Sequence, residues 1–272
     1  MTTTITRLSR LALLATMAVA TPAFAGGFGE TSSLWPSAAD IGGYAIIAPK
    51  YEGSNDYRVY GFPIAIPAGL GTGDGFIQFR GADDVRLRVI KANGFEAGPV
   101  LGWRFDRDEN DGHLLRGLGD VDGGLVIGGY AGYRFGALMP YISYSQQVTG
   151  DDTGGLLRLG AEARFALAPG VSLLAVAGAT HASKDYADTY FSVSAAQSAA
   201  SVAGLPVYSA GAGFKDAFLG LSTDIPLSPL WTLKLSGKYS RLIGDAADSP
   251  IVESENQFAA GIGLTYRISL TR

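Results

Sequence analysis

Apolar and polar residues alternate with a period of two along most of this chain, which is the pattern of β-strands whose two faces meet different surroundings. In the segment 256–270, one face carries Phe258 and Ile262, while the other carries Gly261 and Arg267. The same division into an apolar face and a charged or small face recurs in the earlier segments. The alternation therefore predicts an all-β protein built from amphipathic strands.

The spacing of these segments predicts twelve strands, several of which reach ten residues or more. A tilted membrane strand needs that length, whereas strands of soluble proteins average about half of it. Aromatic residues recur near the segment ends, where girdles at the two membrane interfaces would lie. Only Ala82 and Asp83 link the third strand to the fourth, so ten strands are the alternative count. The predicted strands are 40–49, 57–66, 74–81, 84–91, 94–105, 123–135, 137–148, 155–167, 170–182, 212–225, 230–242 and 256–270.

Short connections alternate with long ones along the chain, and the long ones are 106–122, 183–211 and 243–255. Short periplasmic turns and longer outside loops are typical of bacterial outer-membrane barrels. In hydrocarbon every backbone N–H and C=O must be paired within the protein, so a sheet spans a membrane by closing on itself. We therefore expect a closed antiparallel transmembrane β-barrel over 40–272, in the outer membrane of a Gram-negative bacterium.

The first residues have the three parts of a secretory signal peptide. Arg7 and Arg10 precede the apolar run 11–20, and the segment 21–25 ends in Ala-Phe-Ala. The apolar run is too short to span a bilayer as a helix, which needs roughly 20 residues. We expect residues 1–25 to be a cleaved signal peptide and 26–39 to be an N-terminal periplasmic segment.

Composition narrows the classes of function. The sequence has no Cys and two His, which excludes thiolate metal sites and thiol chemistry. Without Arg7 and Arg10 of the signal segment, 19 of the 21 Lys and Arg remain against 25 Asp and Glu, a net charge of −6. Nucleic acid is not an expected partner at that balance. No cofactor is expected.

Basic residues outnumber acids at the strand positions that the alternation turns toward the barrel interior. One hypothesis is a channel that prefers anions, because rings of Arg or Lys select negative solutes. The other is that these residues pair with the few inward acids and fill a closed interior, as side chains do in small barrels. The candidate lumen-facing basic residues are Arg86, Arg88, Arg104, Arg134, Arg158, Arg164, Lys234, Lys238 and Arg267.

A lipid hydrolase is the enzyme alternative, because some outer-membrane barrels use a Ser–His pair near the membrane interface. The candidates here are His181 with Ser183 and Asp185, at the end of the ninth strand. Nucleophilic catalysis needs the base within hydrogen-bond reach of the nucleophile. Ser183 already falls in the following loop, and a lone His at a strand end is more often an interfacial polar residue. The sequence therefore favours a protein that is not an enzyme.

Four loop regions carry more specific sequence than a generic barrel would: 48–59, 115–120, 190–197 with 204–208, and 241–252. Together they resemble the MltA-interacting protein (MipA)/OmpV family of outer-membrane proteins, and the order and spacing match from about residue 40 to the C-terminus. The segments 51–54 and 244–252 are the most specific. The candidate motif residues are Tyr51, Glu52, Gly53, Ser54, Arg116, Gly117, Asp120, Tyr190, Phe191, Gly244, Asp245, Asp248, Ser249 and Pro250.

The resemblance implies an outer-membrane location among lipid and lipopolysaccharide. For the member that names the family it implies a scaffold that joins a murein transglycosylase to a murein synthase, and other members are described as adhesins, osmotic-response proteins or antigens. Family members usually end on an aromatic residue, whereas this chain continues with Ser269, Leu270, Thr271 and Arg272. The strand count also puts the motif segments outside the cell, away from murein enzymes. The motifs either stabilise the barrel mouth or serve an external partner.

Overall fold

The computed structural model describes residues 37–68, 70, 75–151 and 153–270. The predicted signal peptide 1–25 and most of the predicted segment 26–39 lie outside these residues. Two short helices, α1 and α2, interrupt a series of strands. The strands are β1 Ala38–Pro49, β2 Tyr57–Pro67, β3 Ile77–Gly81, β4 Asp84–Leu87, β5 Ile90–Ala92, β6 Phe95–Arg104, β7 Gly124–Tyr133, β8 Leu138–Gln147, β9 Gly155–Ala168, β10 Val171–Ala182, β11 Gly213–Pro226, β12 Trp231–Leu242 and β13 Asn256–Ser269, and the helices are α1 Lys184–Phe191 and α2 Ala195–Ala200.

All the described strands form one antiparallel sheet, in the order β2-β1-β13-β12-β11-β10-β9-β8-β7-β6-β4-β3, with β5 also paired to β6. The first and last strands are paired, with Tyr44 opposite Gly263. Strands β4 and β5 belong to one pass, so the sheet makes twelve passes. The antiparallel barrel architecture and the count of twelve are confirmed.

The predicted strand 84–91 is broken in the structure, and a bulge is the cause. The N–H of Val89 donates to the carbonyl of Ala97 over 3.1 Å, and Ile90 also stands opposite Ala97. Two residues on one strand therefore face one on its partner, which bends the strand and interrupts the ladder. Alternation alone does not reveal an inserted residue of this kind.

The two faces of the sheet have the predicted characters. On β13 the side chains of Phe258 and Ile262 are exposed on the outer wall, whereas Gln257 and Thr265 are buried on the inner wall. The ring of Tyr44 lies against the inner wall and covers Gly263, where a Cβ would come 2.2 Å from the ring. An apolar outer wall suits hydrocarbon, and a polar inner wall suits a lumen.

The sheet differs from the expected continuous barrel at the seam between β2 and β3, which share no ladder among the described residues. Side chains bridge part of this seam. The ring of Tyr60 stacks on Phe105 with the centroids 5.4 Å apart, and Phe62 lies 6.0 Å from the same ring. Strand β3 is only five residues long, so it cannot accompany β2 over its whole length.

The buried apolar clusters lie mainly in the loops at one end of the sheet, where the long connections are found. We call the described parts of the segments 50–56, 105–123, 148–154, 183–212 and 243–255 the cap. The opposite end has short turns at 93–94, 134–137, 169–170 and 227–230. None of the helices among the described residues is long and apolar enough to cross a membrane.

Candidate functional site

The cap has a core of its own, made from all four of the motif regions found in the sequence. Phe191, Val193 and Ile251 are fully buried in it although they lie in loops. Two clusters make up this core, and Tyr208 and Val252 pack against both. The first contains Val121, Leu156, Ala182, Tyr186, Ala187, Tyr190, Phe191, Ala210, Leu242 and Ala246, and the second contains Tyr51, Leu115, Leu118, Val193, Leu205 and Ile251.

The first cap loop is held against the last one. The hydroxyl of Tyr51 donates to the carbonyl of Ile251 over 3.2 Å, and burial raises the pKa of this phenol above its usual value. Gly53 has a positive φ, and a Cβ there would come 2.6 Å from Val252. The side chain of Gln257 bonds to the N–H of Gly53 and the carbonyl of Ser54. This segment needs its glycine both for backbone conformation and for close packing.

Helix α1 begins at a side-chain cap and ends in the core. Ser183 accepts from the N–H of Tyr186 over 3.3 Å, which satisfies one of the free donors at the helix start. The rings of Tyr186 and Tyr190 lie 4.5 Å apart. Ser249 is buried and donates to the carbonyl of Phe191 over 2.5 Å. The helix is thereby fixed to the last cap loop at its C-terminal end.

A charged network joins the first cap loop to the wall beneath α1. Glu52 accepts a hydrogen bond from the Tyr186 hydroxyl over 2.8 Å and also pairs with Lys215. Lys215 is buried, and it pairs with Asp216 over 2.6 Å. Burial raises the pKa of Tyr186 well above its usual value, and the negative charge of Glu52 raises it further. The network therefore favours the neutral form of Tyr186.

The motif residues in the cap segment 105–123 act mainly through their backbone. A Cβ at Gly117, whose φ is +87°, would come 2.1 Å from the carbonyl oxygen of Ala200, the last residue of α2. Asp120 accepts from the N–H of Glu109 over 2.8 Å. Arg116 has an exposed side chain, while its carbonyl accepts from the N–H of Val202 over 3.0 Å. These motif residues shape the loop from within.

The last cap loop turns on a short helical segment. Gly244 has a positive φ of 56°, and its carbonyl accepts from the N–H of Asp248 over 3.1 Å. Asp245 accepts from the N–H of Gly211 over 2.6 Å, which connects this loop to the end of the longest one. Pro250 is half-buried directly before the fully buried Ile251. Motif residues here join loops that are far apart in sequence.

Below the cap, an ion-pair network crosses the lumen from β3 and β4 to β9. Glu162 is fully buried and accepts from Arg80 over 2.6 and 2.8 Å and from Arg86 over 3.1 Å. Arg86 is also fully buried, and it pairs with Asp84 over 2.9 Å. Its guanidinium stacks 4.1 Å from the centre of the Tyr141 ring. This network fills one side of the interior with paired charge.

Most of the other predicted lumen cations also have acidic partners. We find ion pairs of Arg88 and Arg134 with Glu96, Arg158 with Asp83, Lys234 with Asp224, and Arg267 with Asp40.

Two of the predicted lumen cations, Arg104 and Lys238, make contacts of another kind. Arg104 is buried and bonds to the hydroxyl of Thr153 over 2.8 Å. Arg164 is half-buried near the Glu162 network. Lys238 is exposed and forms no ion pair among the described residues, although its ammonium lies 5.1 Å from the centre of the Phe218 ring. The interior is thus largely, though not wholly, neutralised.

The structure gives the proposed hydrolase residues other contacts. The ring of His181 meets Phe214 edge-on at 5.4 Å, and the hydroxyl of Ser183 accepts from the N–H groups of Gly155 and Tyr186. The described residues show no hydrogen bond between His181 and Ser183. Within the same part of the chain, no group of three or more acidic or His side chains is placed to hold a metal ion.

Sequence reasoning missed several of the residues that hold the cap together or pair with the lumen cations. It does not single out Tyr186, Lys215 or Gln257, and it does not assign Glu162 to any particular inward cation. Lys215 lies beside Asp216 at the start of β11. Two opposite charges in sequence at the start of a strand could have indicated an ion pair there. Gln257 meets the first cap loop about 200 positions away, and no local pattern reports such a contact.

Comparison with known proteins gives a family match over most of the chain. A family model described as MltA-interacting protein MipA matches residues 41–268. Outer membrane protein Omp26La of Vibrio anguillarum is 34% identical over 96 residues, which are 35% of this chain and 36% of that protein. Outer membrane protein OmpV of Vibrio cholerae is 34% identical over 94 residues, 35% of each chain. The matched stretch thus spans about a third of these relatives.

Solved outer-membrane barrels are also similar. The N-terminal barrel domain of Pseudomonas aeruginosa OprF is 17% identical with a TM-score of 0.28, and the match covers 65% of this chain and 98% of that one. Neisserial surface protein A is 15% identical with a TM-score of 0.26, and the match covers 65% of this chain and 96% of that one.

Proposed function

Because this chain belongs to the MltA-interacting protein MipA family and is an outer-membrane β-barrel, we propose that it is a membrane-anchored scaffold for murein enzymes. In this proposal it brings a murein-cleaving transglycosylase together with a murein synthase on the periplasmic side. The family description names an interaction with MltA, and that role comes to this chain as a proposal.

One observation carries the proposal: the motif residues are used inside the cap. Tyr51, Ser249 and Ile251 are buried there, so they are engaged with one another and not with an external protein. The plug of Arg86 and Glu162 fills part of the lumen beneath them. A barrel whose interior is partly filled in this way suits an anchor better than a wide solute channel.

The surface left for a periplasmic partner is at the short-turn end. Phe135, Leu167 and Leu227 are exposed there, in or beside the turns at 134–137, 169–170 and 227–230. Exposed apolar residues beside polar turns are typical both of a membrane interface and of a protein-docking surface. Phe135 is exposed over 62% of its surface and lies in a turn, so it is the first residue to test.

Affinity capture from solubilised envelopes tests the scaffold. We expect the wild-type chain to retain a murein transglycosylase and a murein synthase, and Phe135→Glu to lose most of both. Val202→Glu is the matched control, because Val202 is exposed in the cap at the opposite end. Recovery of neither enzyme by the wild-type chain contradicts the scaffold proposal.

An anion-preferring channel is the second candidate, and Lys238 favours it. This lysine is exposed on the inner wall, and among the described residues it forms no ion pair. Conductance in planar bilayers at several salt concentrations decides between the two. A channel would show anion preference that Lys238→Glu reduces, whereas absence of conductance removes this candidate.

A further inference from the structure

A recess of about 580 Å³ lies on the outer wall near the cap. Strands β1, β2, β11, β12 and β13 contribute to it at the ends of the strands that enter the cap. Its lining is almost entirely apolar, and the long-loop end of an outer-membrane barrel faces the outer leaflet. The residues around it include Ile47, Leu219, Leu221, Gly237, Tyr239 and Phe258.

Small side chains create the recess. Gly237 stands opposite both Leu221 and Ala260 in the ladders of its two neighbours. A Cβ placed on Gly237 would meet nothing within 4 Å, so the space over this residue is open. On the cap side, the rings of Tyr239 and Phe258 form a wall, with their centres 5.0 Å apart. The result is a depression in the apolar outer wall.

Polar groups lie directly beyond that aromatic wall. The hydroxyl of Tyr239 donates to Asn256 over 2.7 Å. Arg241 follows two residues later on the same face of β12, about 7 Å further toward the cap, and its guanidinium pairs with Glu255 over 2.9 Å. The side chains of both partners are largely exposed, 58% and 44%. An exposed ion pair contributes little, so Arg241 can also accept another anion.

We propose that this recess binds an acyl chain of one lipopolysaccharide molecule, with a phosphate of its lipid A on Arg241. The apolar depression and the cation above it match the two halves of an anionic lipid. Their order along β12 matches a lipid whose headgroup is at the outer surface. Dispersion contacts with the recess walls hold the acyl chain, because the surrounding lipid is equally apolar and there is no hydrophobic driving force. The cation Arg241 favours a lipid whose headgroup is anionic.

The test measures the lipid that the full chain retains after extraction from outer membranes in mild detergent. Native mass spectrometry counts bound molecules, and lipopolysaccharide and phosphatidylethanolamine are then offered separately to delipidated protein. Gly237→Leu fills the recess. Gly129→Leu is the matched control, because Gly129 is exposed on the outer wall of β7 and a Cβ there has its nearest contact at 3.7 Å.

We expect Gly237→Leu to lower lipopolysaccharide retention about fivefold and Gly129→Leu to leave it unchanged. Arg241→Gln, which keeps the recess, should lower retention about threefold without changing phosphatidylethanolamine binding. Heat-dependent migration on gels shows that each variant is a folded barrel. Equal retention by wild type and Gly237→Leu overturns the proposal, as does an equal loss in Gly129→Leu or a preference for phosphatidylethanolamine. None of these outcomes depends on the murein scaffold.

Discussion

The cap and the barrel wall bury opposite kinds of residue. In the cap, Phe191 and Ile251 are buried together as in a soluble protein. In the barrel, Arg86 and Glu162 are fully buried while Ile262 is exposed over 57% of its surface. The same chain therefore buries apolar side chains in its loops and charged side chains inside its sheet. Substitutions of the same kind should have different consequences in the two regions.

Removal of Glu162 should be the most damaging single change in the barrel. In Glu162→Leu, Arg80 loses its carboxylate partner inside the lumen, and an uncompensated buried charge costs about 4 kcal/mol. Urea unfolding of the barrel in lipid vesicles measures this loss. The control is Asp224→Leu, because Asp224 is 35% exposed beside Lys234 and should cost under about 1 kcal/mol. Equal losses would mean that the Glu162 network contributes no more than a surface pair.

A matched pair of isoleucines compares the two regions directly. Ile251→Ala empties space in the packed cap, whereas Ile262→Ala leaves a site that lipid can fill. Both variants lose the transfer free energy of the side chain, and only the cap variant adds a cavity term. We expect Ile251→Ala to cost about 2 kcal/mol more than Ile262→Ala. Hydrogen exchange in the cap and urea unfolding of the barrel measure the two losses.

Alkaline pH should loosen the cap before the barrel. The folded cap holds the pKa of Tyr186 above its unfolded value of about 10. The stability that this phenol contributes is therefore complete below about pH 10, and it falls by up to about 1.4 kcal/mol per pH unit above that. Hydrogen exchange of the cap from pH 8 to 11 measures the slope. Tyr186→Phe should flatten it, and an unchanged slope would contradict the assignment to Tyr186.

Two cap glycines should show the smallest difference. Gly117 and Gly119 both have positive φ, so alanine is strained at either position. Only at Gly117 would the new Cβ collide with a backbone atom, at 2.1 Å from the Ala200 carbonyl. We expect Gly117→Ala to destabilise the cap by about 1 kcal/mol more than Gly119→Ala. The assay is the rate at which a protease cuts the cap as the temperature is raised. Equal protection of the two variants would argue against the close contact at Gly117.

The barrel was predictable from sequence because its rule is local. Alternation predicted 155–167 and the structure has Gly155–Ala168, since each residue on a strand reports its own face. The cap was not predictable in the same way. The resemblance identified Tyr51 and Ser249 as special, but their partners Ile251 and Phe191 are set by tertiary packing. The balance of charge in the lumen was visible, while the pairing of Glu162 with Arg80 needed the geometry.

The inner face of β2 also lay beyond the alternation rule. Tyr60 and Phe62 point to the same side as the inward Tyr44, where a polar lumen was expected. Their stacking on Phe105 supplies the reason, because they bridge the seam beside the short strand β3. A rule that assigns faces from sequence alone treats such positions as exceptions.

That seam has a consequence for biogenesis. In this sheet the first and last strands are paired, with Ala38 opposite Ser269. Among the described residues, the open edge lies between the consecutive strands β2 and β3. Bringing the ends together is the entropically expensive event, because it closes the longest loop in the chain. Joining β2 to β3 closes only a short one. Insertion into the membrane can therefore end with an inexpensive local step, after the termini have already been captured.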